Sequence, residues 1–161
     1  MKRPIFLFLA LILLIGASPK ISLAEPVGNQ QPAQGLGETF AALALDKFSN
    51  DNPGQDTSLL ASRVQDYGRE VAKILFEGKV EPQTAESIIM ESAPWYAEAL
   101  DNILNGDNSL NFYINEYIRQ ITDLFSRHKL GLSVQSQVVL LTSSHLEKMY
   151  SLLKPSFYHY Q

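Results

Sequence analysis

Three histidines, three methionines and no cysteine make up the nitrogen and sulfur ligands of this 161-residue chain. Without a thiol there is no thiolate metal site, no cysteine nucleophile and no disulfide framework. His145 and Met149 stand at i and i+4, a spacing that puts imidazole and thioether on one helix face. Haem iron and soft copper accept that pair, so a haem- or metal-binding helical bundle is the one cofactor reading the residue types offer. The same two residues also continue an apolar stripe of Val138, Leu141 and Leu152, as His128 continues one of Ile121, Leu124 and Phe125. Histidines placed in this way are expected to be core residues hydrogen-bonded to backbone. An antiparallel hairpin about Gly131 separates His128 from His145 by roughly 15 Å along its axis, too far to share an ion. His159 falls in the C-terminal tail. No metal, cofactor-binding or catalytic residue is assigned.

Other chemistries find less. With Gly106 as the glycine of a calcium loop, Asp101 and Asn105 take its first and fifth positions. Ile103 and Phe112 then stand at the third and twelfth, where oxygen ligands belong. The loop at 50–56 fails in the same way at Leu60. Both read as helix-terminating turns. Gly-x-Ser-x-Gly, His-Glu-x-x-His and phosphate-binding glycine loops are absent from the sequence. Glu86, Glu91 and Glu98 could supply a carboxylate pair for glycosidic cleavage, but spacings of five and seven are those of a solvated helix face. Phe157, Tyr158, His159 and Tyr160 follow the helix-stopping Pro155. Such a tail is expected to pack back on the body or to act as a partner-binding hook.

The segments that carry these residues begin with an export signal. Lys2 and Arg3 precede an apolar run over 5–16, Pro19 breaks it, and Ser22-Leu23-Ala24 offers small residues for signal peptidase. The run is well short of the roughly 20 apolar residues of a membrane span. A cleaved signal peptide over 1–24 is therefore expected, with no stable membrane anchor afterwards. Without a cysteine beyond the run, a lipid-anchored form is excluded. Loss of Lys2, Arg3 and Lys20 leaves 10 basic against 17 acidic residues, a net charge of −7. That sign disfavours nucleic acid and anionic lipid as partners. Residues 25–116 hold 5 basic and 15 acidic residues, whereas 117–161 hold 5 and 2. The acidic part is a solvated face or a docking surface for a basic partner.

Residues 25–37, rich in Pro, Gly and Gln, read as a flexible leader. Five helical patterns follow over 38–161. Phe40, Leu43, Ala44 and Phe48 mark the first. Leu60, Val64, Tyr67, Val71, Ile74 and Leu75 mark the second, capped by Asp56 or Thr57 and ended by Gly78. Pro82 opens the third, with Ala85, Ile89, Tyr96, Leu100, Ile103 and Leu104 on its stripe. Pro94 either kinks that helix or splits it in two. Leu110, Ile114, Tyr117, Ile118, Ile121, Leu124 and Phe125 mark the fourth. Gly131 reads as its C-cap with Leu132 folding back, and Ser133 as the cap of the last helix. No repeat emerges at a fixed period.

These patterns predict an all-α, single-domain bundle of about five mostly antiparallel helices, after a signal peptide (1–24) and a leader (25–37). The functional expectation is an exported, periplasmic or extracellular, non-catalytic binding or adaptor module whose partner is another protein.

Overall fold

The computed structural model describes residues 30–154. The expected signal peptide, the start of the leader and the aromatic tail lie outside the described residues. Within them the chain forms α1 (Gln30–Asp51), α2 (Ser58–Glu77), α3 (Pro82–Asn105), α4 (Leu110–Arg127) and α5 (Leu132–Leu153), with no strand. The all-α bundle is the fold that the helical spacing predicts. None of the described helices is long and apolar enough to cross a membrane.

The flexible leader is overturned from Gln30 onward, because α1 begins there. The stripe of Phe40, Ala44 and Phe48 continues backward through Gly37 and Ala33, and all five are buried. Small side chains there let α1 and α2 approach closely. A Cβ on Gly37 would lie 2.8 Å from the Arg69 backbone, and one on Gly68 would lie 2.7 Å from the Phe40 Cβ. What reads as a low-complexity linker is a packing face built of the smallest residues. Leu43, counted in the same stripe, is instead partly exposed.

Asp56 accepts a hydrogen bond from the Ser58 N–H at 2.8 Å, while the Thr57 side chain makes no capping bond. Pro94 neither splits α3 nor ends it. It lacks the N–H that would reach the Met90 carbonyl, and that turn of the helix has Met90 exposed on its outer side. After α2 and after α4 the chain turns in the same manner. Lys79 and Lys129 adopt left-handed φ of 59° and 56°. Val80 N–H then donates to Leu75 O, and Leu130 N–H to Phe125 O. Each is a Schellman turn, with an apolar residue beyond it returning to the core. Gly131 is therefore not the C-cap of α4. It is the N-cap of α5, Leu132 is 80% exposed instead of folding back, and Ser133 lies inside the helix.

The two turns belong to a repeat that the sequence reading does not show. Hairpin α2–α3 and hairpin α4–α5 align in register at a spacing of 50 residues, from Lys79 and Lys129 to the helix starts at Pro82 and Leu132. Buried Val64, Tyr67, Val71 and Leu75 correspond to buried Ile114, Tyr117, Ile121 and Phe125. On the return helices, Ile88, Ser92, Ala99 and Ile103 correspond to Val138, Thr142, Met149 and Leu153. Ser92 and Thr142 are the two buried polar residues among those described. The hairpins pack crosswise, α2 on α5 and α3 on α4, and α1 covers α2 and α3. Tyr67 reaches Thr142 of the other hairpin at 2.8 Å. The repeat is one of residue class, not identity, and so leaves little trace in the sequence.

Candidate functional site

His145 is held where the two hairpins and α1 meet. Its ring stacks on Tyr67 at a centroid distance of 4.6 Å, and Tyr67 in turn stacks on Tyr96 at 5.2 Å. Phe40 of α1 meets both tyrosines edge-on, and Tyr117 meets Tyr96 edge-on. The Tyr96 hydroxyl and the His145 Nε2 share a hydrogen bond of 2.6 Å. Thr142 donates to the Val138 carbonyl at 2.7 Å, so its hydroxyl oxygen is left to accept from Tyr67. Burial pushes the phenols of Tyr67, Tyr96 and Tyr117 upward, the last two strongly. Burial also lowers His145 to about 4, helped by the charges of Lys148 and Arg63 and opposed by Asp66. The cluster is thus neutral at physiological pH, and among the described residues no buried side-chain polar atom lacks a partner.

His145 is half-buried at the edge of the core, and its bond goes to a phenol and not to backbone. Met149 is fully buried on the same helix. His128 is not brought near His145. It caps α4 through its N–H to the Leu124 carbonyl, and its Nε2 faces Glu91 at 3.6 Å. No group of three or more His, Asp or Glu among the described residues is arranged to hold a metal.

The three glutamates separate as a solvated face does. Glu91 takes His128 and Arg127, Glu98 approaches Lys47 at 4.0 Å, and Glu86 is exposed. The two Asx-rich loops meet each other. Asn52 donates to Asp101 at 3.0 Å, and Asn105 donates to Asp101 at 2.8 Å and to Asn52 at 2.7 Å. This network ties the end of α1 to the end of α3.

A feature that sequence reading misses lies beside that tie. Where α3 runs into α4, a half-open cleft of about 340 Å³ is lined by residues that include Trp95, Phe112, Glu98, Asp107 and Glu116. Phe112 is 52% exposed although it is a large aromatic. Gly106 and the Tyr113 hydroxyl, which accepts from the Asn108 N–H at 2.8 Å, set the turn that shapes the floor. Arg119 hydrogen-bonds Glu116 and holds its carboxyl below the usual range. Glu98 is only loosely met by Lys47, whose short bond of 2.8 Å goes to Asp51. Asp107 has no ion-pair partner among the described residues. The available signals were the chain's single tryptophan and a phenylalanine off the apolar stripe of its helix.

No family model, no curated protein and no solved structure matches this chain.

Proposed function

We propose that the chain is an exported, non-catalytic binding module for another protein, and that the α3–α4 cleft receives a cationic side chain of that partner. The cleft carries the proposal. Aromatic faces attract a cation through their quadrupoles, and carboxylates in the lining add Coulomb attraction that a half-desolvated site screens incompletely. Its volume is at the small end for ligand sites, which suits one anchoring side chain better than a large cofactor. A guanidinium, planar and weakly hydrated, stacks on an aromatic face better than an ammonium does. The acidic excess over 25–116 would steer such a partner from a distance. The Tyr96 hydroxyl engages the Nε2 of His145, one of the two ring nitrogens through which an imidazole can bind a metal.

Trp95 is the only tryptophan, so its fluorescence reports the cleft directly. An arginine-rich peptide should shift or quench that emission, and the same peptide with citrulline for arginine should not. Glu98→Gln with Asp107→Asn should weaken the response by roughly tenfold, the loss of one to two kcal/mol of charge attraction. Equal responses to both peptides, or none, would falsify the assignment.

A further inference from the structure

The equivalence of the two hairpins exposes a difference between them. On the first, Ala72, Ala85 and Ile89 are fully buried. Their counterparts on the second, Thr122, Gln135 and Val139, are only half-buried. Beside them Leu132 is 80% and Leu140 72% exposed. Together with Ser136 these five residues line a shallow apolar depression on α4 and α5.

The sequence over this face is unlike that of any other exposed helix here. Residues 130–146 contain no Asp, Glu, Lys or Arg, the longest such stretch of the described chain. Its one titratable side chain, His145, is turned into the core. Solvated helix faces carry charge, and a face without it is expected where another surface covers it.

The absence of charge also selects the occupant. We infer that the α5 face binds a second copy of this chain as a two-fold dimer. Across a two-fold axis a surface meets itself, so any charge near the axis would face its own kind. In a chain this acidic, the face free of charge is the one that meets itself without that repulsion. The spacing fits as well. With two α5 helices antiparallel and the axis at Ser136, residues four positions to either side coincide. Leu132 then meets the partner's Leu140, and Leu140 meets the partner's Leu132. Ser136 at the crossing is small enough for the helices to approach.

Sedimentation equilibrium of the purified protein over a hundredfold range of concentration tests this. The wild type should dimerise reversibly. Leu140→Glu should abolish the dimer by placing a charge opposite Leu132, without unfolding a position that is already exposed; helical circular dichroism checks this. The double variant Leu132→Lys, Leu140→Glu should recover the dimer, because each lysine would meet the partner's glutamate. Ser136→Cys should form a disulfide-linked dimer on mild oxidation. A strict monomer at every concentration, or a dimer indifferent to Leu140→Glu, overturns the inference. The result is independent of the cleft, which lies on α3 and α4 and is probed by Trp95.

Discussion

At the scale of single residues, His145 decides how stability depends on pH between neutrality and mild acid. Desolvation, then the charges of Lys148 and Arg63, hold its folded pKa near 4, against an ordinary value of 6.5. The unfolded chain therefore takes up a proton below pH 6.5 that the folded chain refuses until about pH 4. Stability from this group is fully present above pH 6.5 and falls as the pH drops towards 4, by at most about 3 kcal/mol. The lowered carboxyls of Asp56 and Glu116 also weaken the fold in acid, but in a lower range, starting from their ordinary values of 3.8 and 4.5. Urea midpoints at pH 7 and pH 5 should therefore differ for the wild type. They should nearly coincide for His145→Phe, which keeps the stack on Tyr67 and removes the titration. An undiminished difference in the variant would assign the effect elsewhere. That His145 packs against the core is legible from its place on an apolar stripe. Its partner Tyr96 is not legible, because it lies 49 residues away and only the crossing of α3 and α5 joins them.

At the scale of elements, helix positions and most buried stripes follow from the 3.6-residue period, and errors gather where small residues do the packing. Glycine in a helix usually costs about 1 kcal/mol against alanine, so Gly35 and Gly37 argue for a linker unless their neighbours are known. The two glycines facing α1–α2 contacts and the one facing solvent separate cleanly. Gly35 has nothing within 4 Å of a built Cβ, whereas Gly68 would place one 2.7 Å from the Phe40 Cβ. Gly35→Ala should raise stability by up to about 1 kcal/mol. Gly68→Ala should lower it, since overpacking costs about 1–3 kcal/mol and outweighs the propensity gain. Thermal melts of the two variants should move in opposite directions. If both rose, α1 would not be seated on α2 as closely as described. The turns misread at Gly131 have a similar origin. The left-handed position falls on lysine, where sequence rules expect glycine.

At the scale of the whole molecule, the hairpin repeat explains why the described residues form two hairpins and one covering helix. The first hairpin presents Gly68, Ala72, Ala85, Ala93 and Ala97, small residues that bury only because another helix lies over them. The second presents Ile118, Thr122, Gln135, Ser143 and Glu147 at the same places, larger or polar side chains over which no helix of the same chain lies. The absence of a repeat signal in the sequence is the other side of this difference, because each hairpin has been fitted to what covers it. It follows that α1 is part of the fold. It brings Phe40 and Phe48, both essentially unexposed, onto the tyrosine cluster and the α2–α3 floor. Removing a buried phenylalanine side chain costs about 3–5 kcal/mol, and a domain's entire stability is about 5–15 kcal/mol. A chain starting at Asn52 should therefore lose its cooperative urea transition, whereas one starting at Gly28 should keep it. A cooperative transition in the shorter chain would mean that the two hairpins are a complete domain by themselves and that α1 is an accessory held on their surface.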